Sequence, residues 1–365
     1  ATADVASLIL RDSGFLQEKD AEFLNRHGLT RHKPAQPLYG VQDARRAIER
    51  FALVEFDQEF ELPGGARLCF RRAGHILGAA HAELEWGGKR IVFSGDIGRY
   101  GDPLLPDPTP GREADFVMIE STYGNRVHDT SDPTEALGEI AERTVKRGGS
   151  LIIPAFAVGR AQELLYHFWK LKQAGRLGNV PIFLGSPMAI DATELFARHP
   201  ADHRLDRAAC REAFGVATYT DDVEQSKAIT ASKFPKIVIS ASGMATGGRV
   251  LHHLKAYAPD GRNTILLAGF QAMGTRGHSL QQGAKELKIH GQWIPVHAEV
   301  ARIDMLSAHA DSDELMRWLS GLVRAPQRVF IVHGEPEASE ALRVRIQREL
   351  GWEAVVPRPE QEFRL

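Results

Sequence analysis

Five ionisable side chains in this sequence stand at or just beyond the ends of short apolar runs. His75, in Ala73-Gly74-His75-Ile76-Leu77-Gly78, follows the alternating run Leu68 to Arg72. Asp96, in Ser94-Gly95-Asp96-Ile97-Gly98, follows Ile91-Val92-Phe93. Glu120 opens Glu120-Ser121-Thr122-Tyr123-Gly124, His309 sits in Ser307-Ala308-His309-Ala310-Asp311, and His333 in Val332-His333-Gly334-Glu335. A strand end is held by a rigid sheet yet faces a cleft, where a metal ligand or catalytic group is usefully placed. Imidazole nitrogen together with carboxylate oxygen suits zinc or manganese. His75, Asp96 and His333 would make a three-ligand hydrolytic site with positions left for water and substrate. Glu120 and His309 could orient one another, and a histidinium held by a carboxylate is a suitable general acid for an alkoxide leaving group.

Taken singly, each residue also has an ordinary structural reading. His75 could be a structural histidine among glycines, and Glu120 could cap a turn with Ser121 and Thr122. His309 could stabilise the next helix beside Asp311, and His333 could donate to a neighbouring loop. Five residues on one strand-end design are harder to assign to independent accidents, and strands of one sheet could point all five loops at one rim.

The elements that must position them are legible from periodicity. Residues 1–60 read mainly as helices, over Ala3 to Leu10, Asp20 to Leu24 and Val41 to Ile48, with a loop at Pro34 to Pro37. From Phe60 to Glu120 the period changes to two, with a hairpin turn at Gly87-Gly88 and buried strands at Lys89 to Ser94 and Phe116 to Ile119. Beyond Asp129 strands and helices alternate: helix Pro133 to Arg147, strand Ser150 to Phe156, and helix Gly159 to Gln173. The strands Pro181 to Leu184 and Lys236 to Ser240 are each followed by a helix. Such alternation predicts a mostly parallel sheet in a separate domain over 128–292. Strands return over Trp293 to Ile303, followed by helix Ser312 to Leu322, strand Arg328 to Val332 and helix Pro336 to Leu350.

The chain has 365 residues, enough for two domains, with 43% hydrophobic and 25% charged residues. No apolar run approaches the ~18 residues of a membrane span, and no secretory pattern opens the chain. Only Cys69 and Cys210 are present, so a disulfide framework or thiolate zinc site is not expected and a reducing cytoplasm is. The net charge of -2 predicts no general affinity for nucleic acid, so such a role would need local basic patches or metal charge.

These motifs, in this order, resemble those of the β-CASP branch of the metallo-β-lactamase-fold nucleases. The closest resemblance is to bacterial and archaeal relatives of the endonuclease subunit that cleaves messenger-RNA precursors before polyadenylation. Phe156 to Leu165, Gly185-Ser186-Pro187-Met188 and Ser242-Gly243-Met244 through Gly247-Gly248-Arg249 resemble segments of the inserted β-CASP domain. The resemblance implies an α/β chain: a metallo-β-lactamase αββα domain from 1–127 and 293–365, with a β-CASP domain inserted at 128–292. It implies that His75 and His333 each ligate one zinc, that Asp96 bridges two, and that Glu120 with His309 protonates the departing oxygen. His333 in the last motif favours RNA over DNA. Ser186, Ser242, Gly243, Gly247 and Gly248 could contact neighbouring phosphates, with Arg249 and Arg160 supplying charge. The plain alternatives are that the glycine loop is a helix entry and that Arg160 is a surface ion-pair partner. Single-stranded RNA is the implied partner, a homodimer is admitted, and no membrane is involved.

The family also carries a His-x-His-x-Asp-His signature upstream, and no such string occurs in residues 1–365. Retention of all five motif residues favours a piece of a longer enzyme over a degenerate relative. With three ligands in this segment, the polypeptide by itself is not expected to hold both zinc ions of a complete site. The expected activity is hydrolysis of RNA phosphodiester bonds. The alternatives are a catalytically incomplete RNA-binding or assembly subunit and a small-ester metallohydrolase of the same fold.

Overall fold

A computed structural model describes residues 1–365. The chain opens with one continuous helix, α1 (Thr2–His27), where periodicity alone suggested two shorter pieces. It ends on Gly28, whose left-handed φ of 63° returns backbone N–H groups to the last turn. Helix α2 (Val41–Ile48) packs back on it, with Gly14 lying against Gly40 and the Val41 amide donating to Glu18.

Two sheets follow. The first begins with β1 (Glu59–Leu62), β2 (Ala66–Arg72), β3 (Ala80–Trp86), β4 (Lys89–Phe93) and β5 (Phe116–Glu120). Strands β1 to β4 form an antiparallel meander, and β5 then pairs parallel to β4. The chain next alternates through α3 (Pro133–Lys146), β6 (Leu151–Pro154), α4 (Arg160–Gln173), β7 (Ile182–Leu184), α5 (Pro187–Arg198), α6 (Arg207–Phe214), β8 (Thr218–Tyr219), α7 (Val223–Ala231), β9 (Ile237–Ser240), α8 (Val250–Tyr257) and β10 (Thr264–Ala268). After α9 (Arg276–Gln281) come the hairpin β11 (Glu286–Ile289) and β12 (Gln292–Pro295), then β13 (Glu299–Ile303). The chain closes with α10 (Ser312–Ser320), β14 (Arg328–Val332), α11 (Pro336–Leu350) and β15 (Ala354–Val355).

Strands β13-β10-β6-β9-β7-β8 make a six-stranded sheet in which every pairing is parallel. The run Trp293 to Ile303 therefore divides between two sheets. Its first half closes the small hairpin, and its second half, β13, joins the six-stranded sheet. Strands β14 and β15 return to the first sheet, giving seven strands in the order β1-β2-β3-β4-β5-β14-β15.

The pleat sorts the seven-stranded sheet into two faces. Val92, Val117, Ile119, Val329 and Ile331 are buried against Leu315, Trp318 and Leu319 of α10 and Leu342 and Ile346 of α11. On the other face Leu68, Phe70, Leu84, Ile91, Phe93 and Met118 are each only half-buried. The two sheets meet through an apolar junction. Val5, Leu8, Leu77, Leu104 and Leu105 join the same buried cluster as Leu164, Phe168 and Phe196. Arg72 pairs with Asp202 and Arg204 with Asp107 around it.

One buried ion pair lies inside the first sheet. Arg71 on β2 donates through Nε to Glu83 on β3 at 2.7 Å, and both are at most 7% exposed. Burial opposes the Glu83 charge, but the neighbouring His81 and the Arg71 hydrogen bond and charge outweigh it and bring its pKa to about 2. A depressed folded-state pKa contributes stability that is complete above the ordinary value of 4.5 and is lost as pH falls towards 2. Glu83→Gln leaves the buried Arg71 guanidinium with only the exposed Asp57 carboxylate as countercharge and is expected to cost about 3 kcal/mol at neutral pH. Urea unfolding from pH 7 to pH 2 should show that difference shrinking below pH 4.5. A constant difference across this range would mean that the pair does not titrate with folding.

Candidate metal and acid-base site

Strands β2, β4, β5 and β14 run in one direction, so their C-terminal ends lie on one edge of the seven-stranded sheet. His75, Asp96, Glu120 and His333 sit at or just past these four ends. His309 arrives differently, from the segment after β13, whose strand belongs to the other sheet. A single bridge between Gly98 and His309 docks it on the edge of the Asp96 loop, reinforced by the Ala310 amide donating to the Ile97 carbonyl at 2.8 Å. This docking needs glycine at position 98. A Cβ there would stand 2.0 Å from the Gly74 carbonyl oxygen and 2.6 Å from the His75 amide nitrogen.

Asp96 lies at the centre of the cluster. His75 Nε2 is 3.7 Å from its Oδ2, and His333 Nε2 is 3.3 Å from its Oδ1, so each carboxylate oxygen faces a different imidazole. His75, Asp96 and His309 present ligand atoms within 4.8 Å of one another. Two ligands bound about 2.1 Å from a tetrahedral ion lie about 3.4 Å apart, which is the spacing seen on both sides of Asp96. His75 Nδ1 is buried without a hydrogen-bond partner. Burial first, and the neighbouring His309 second, push the His75 pKa down to about 4, so at neutral pH its imidazole is in the uncharged form that binds metals. Oxygen and nitrogen donors, their spacing and a neutral imidazole fit a divalent cation such as zinc or manganese. Asp96 and His333 keep 38% and 60% of their side-chain surface exposed, so the cluster opens to solvent.

Glu120 is fully buried. Its Oε2 lies 3.0 Å from His309 Nδ1, and its Oε1 accepts the Ile97 amide at 2.5 Å. Burial disfavours the His309 cation, but the hydrogen bond and charge of Glu120, helped by Asp96, prevail and raise its pKa. With Nδ1 engaged, Nε2 is the ring nitrogen left to act on a substrate. His333 is held by its own carbonyl, which accepts from the Ser121 amide at 3.2 Å and from Thr122 Oγ1 at 3.2 Å. Its φ of 51° turns the side chain out of the strand.

A second group of ionisable residues supports the first and was not singled out from the sequence. His128 Nε2 lies 3.0 Å from the His309 carbonyl oxygen, and its ring packs 4.7 Å from Tyr123. Asp311 accepts from the His128 amide and caps α10, while Glu314 pairs with Arg99 and accepts from the Tyr100 and Asp311 amides. His128, Asp311 and Glu314 also have metal-like spacing, but each is satisfied by protein donors or acceptors, so this group braces His309. Only fold knowledge, not local spacing, could have found His128.

The remaining sequence-predicted residues lie at the C-terminal edge of the six-stranded sheet. That edge abuts the first site, since a Cβ on Gly159 would meet Ile76 at 3.2 Å, and Phe270 lies 5.9 Å from Tyr123. None of them hydrogen-bonds to the His75–Asp96–His309–His333 cluster. Ser186 Oγ caps α5 by accepting the Ala189 amide. Ser242 Oγ accepts the Thr246 and Gly247 amides and closes its own loop. Gly243 lies under the Phe156 ring, and Gly248 takes a φ of 75°. Arg249 donates to the Thr220 and Asp221 carbonyls. Arg160 is buried rather than at the surface, paired with Glu163, with Nε lacking a partner.

Comparison with known proteins places this arrangement. Residues 161–280 match the family described as Beta-Casp domain, and residues 293–357 match the Zn-dependent metallo-hydrolase RNA specificity domain. The chain is 36% identical over 315 residues to Ribonuclease TTHA0252 of Thermus thermophilus, covering 84% of this chain and 71% of that protein. It is 33% identical over 335 residues to the RNase J-like protein of Methanocaldococcus jannaschii, covering 87% of this chain and 76% of that protein. Transcription termination factor FttA of Pyrococcus abyssi is 33% identical over 351 residues, and the chain spans 53% of its length.

The Glu120–His309 pair makes a titration prediction for the metal-free protein. The His309 imidazole should titrate above the ordinary 6.5. In Glu120→Gln only Asp96 still opposes burial, so the His309 midpoint should fall below that of the unmodified protein. Histidine ring NMR signals followed from pH 5 to pH 9 read both midpoints, and an unmoved His309 signal would refute the coupling.

Proposed function

The chain belongs to the β-CASP family of metallo-β-lactamase-fold ribonucleases, and we propose that its cleft hydrolyses RNA phosphodiester bonds with bound metal. The observation that carries this reading is the single carboxylate of Asp96 facing two imidazoles, with a buried acid–histidine pair alongside. His75 and Asp96 would hold one cation and His333 and Asp96 the other, with zinc or manganese as the candidate ions. When bound, such ions supply positive charge to the scissile phosphate and an ionised water at neutral pH.

The protein's own groups account for the rest. Asp96 would join the two halves of the centre, since each of its oxygens faces a different imidazole. His309, charged and oriented by Glu120, would present Nε2–H to the departing ribose oxygen and protonate it as the P–O bond breaks. The buried Glu120 carboxylate favours the protonated imidazole and aims it. The buried Arg160 is paired with Glu163, and its unpartnered Nε is the donor left to meet a phosphate. Ser186, Ser242 and the backbone of Gly243, Gly247 and Gly248 remain the candidates for holding flanking phosphates. Single-stranded RNA fits an open edge lined by loops from two sheets. The same reading takes 128–292 as an insertion between 1–127 and 293–365, with β13 lending its strand to the inserted sheet. No helix is long and apolar enough to cross a membrane.

Two substitutions test this with separate readouts. Asp96→Ala is expected to lose bound zinc or manganese, measured by elemental analysis of the purified protein, and to lose cleavage of labelled single-stranded RNA with it. His309→Ala is expected to retain metal but slow cleavage roughly 10²–10⁴-fold, the usual range for a general acid. Retained cleavage in either variant would defeat the mechanism. RNA binding without cleavage by the complete natural protein would favour a binding subunit instead.

A further inference from the structure

The strand-end loops that build the site carry one exposed phenyl ring that the mechanism above does not use. Phe156 stands two residues past the end of β6 and is 44% exposed. Its backbone is fixed on both sides. The Ala155 amide donates to the Ser240 carbonyl at 3.0 Å, and the Phe156 carbonyl accepts the Ala161 amide at 3.1 Å. The buried Gln162 ties the loop to α4 by accepting the Gly159 amide and donating to the Ala157 carbonyl. The ring rests on Gly243 of the glycine-rich loop, where a Cβ would stand 2.8 Å from Phe156 Cδ2 and 3.0 Å from Cε2. Three residues after Phe156, Gly159 approaches Ile76, the chain neighbour of His75, and three residues of chain span at most about 10 Å.

Single exposed apolar side chains are ordinary on a protein surface, so the place of this one is what carries weight. Phe15 and Phe23 are exposed on α1, Phe51 beyond α2, Phe234 before β9, Trp86 at the end of β3 and Trp293 within β12. None of these stands in a loop that follows a strand to the site; β3 runs antiparallel to β2, so Trp86 lies at the opposite edge. Of the rings nearer the cluster, Tyr123 and Phe270 meet edge to face at 5.9 Å, and Tyr123 is buried against His128. Phe156 instead packs on backbone and keeps the rest of its ring open to solvent.

We propose that Phe156 is the stacking platform for one unpaired nucleobase of the RNA, set between the metal cluster and the glycine-rich loop. The proposal rests on the ribonuclease reading of the cleft. An aromatic side chain takes any base, because every base has a π-face, and the contact needs no charge. That suits a chain of net charge -2, which has no general attraction for a polyanion. A base inside a duplex is already stacked and paired, so only an unpaired one reaches the ring. Gly243 has a stated role in this arrangement: any side chain there would displace the ring from its seat.

The test compares two labelled polymers of equal length, an oligouridylate and an abasic ribose-phosphate chain. Both carry the same phosphates, so the ratio of their affinities isolates the bases. Fluorescence polarisation over a KCl series would give Kd for three forms of the full chain, each carrying His309→Ala to slow cleavage: the parent, Phe156→Leu and Phe156→Trp. The parent should prefer oligouridylate. Phe156→Leu should reduce that preference at least roughly fivefold, the lower end for one stacked base. It should bind the abasic chain as the parent does, with an unchanged log–log salt slope, because no phosphate contact is lost. Phe156→Trp should keep the preference. An undiminished preference in Phe156→Leu would overturn the platform, as would equal losses for both polymers or a tryptophan variant that behaves like leucine. If the parent bound neither polymer, the ribonuclease reading itself would fall. A parent that binds both equally would defeat the platform alone.

Discussion

The buried carboxylate of Glu120 is the contact on which the site depends. It stands at the end of β5 with no exposed surface, accepts the Ile97 amide from the Asp96 loop, and takes His309 Nδ1 on its other oxygen. One residue thereby fixes three segments that are far apart in the chain. A buried charge is expensive unless it is paired and hydrogen-bonded, so the loops of Asp96 and His309 are held by the requirement to satisfy it. The close approach of Gly98 to Gly74 adds a steric limit, since any side chain at 98 would push His75 away from Asp96.

The same economy explains how His309 joins a rim built by another sheet. Its strand, β13, is the edge of the six-stranded sheet, and the apolar junction of Leu77, Leu104 and Leu105 with Leu164 and Phe168 holds the two sheets together. His128 then fastens the His309 carbonyl from behind, and Asp311 fastens His128 while capping α10. The acid–base pair is thus assembled across the boundary between two sheets, and the geometry of its proton donor is only as firm as that boundary. The opposite face of the seven-stranded sheet is held less completely, because Leu68, Phe70, Ile91 and Phe93 are only half-buried there.

Residue identity did not decide what the cations do. Arg249 and Arg160 stand in motifs that suggest phosphate contact, yet Arg249 satisfies the Thr220 and Asp221 carbonyls and Arg160 is paired with Glu163. Electrostatic complementarity to a polyanion depends on which charges remain free after folding, and that count exists only in three dimensions.

Periodicity and turn residues settled the period-two stretch through Glu120, the parallel alternation after it, and the strand-end placement of His75, Asp96, Glu120 and His333, because those are local properties of spacing and propensity. The same local rules broke α1 into two pieces and ran β12 and β13 together, since a continuous helix and a change of sheet are decided by what packs against them. Residue types could nominate Asp96 as a ligand and Glu120 with His309 as a pair, and the family resemblance implied that Asp96 is shared. Only the tertiary structure could face each Asp96 oxygen with a different imidazole, bring His309 in from the second sheet, and recruit His128 behind it. The reason is physical: a distance of 3 Å between residues nearly two hundred positions apart is set by strand register, a glycine-sized gap and the need to neutralise one buried charge, and none of these is a property of any short segment.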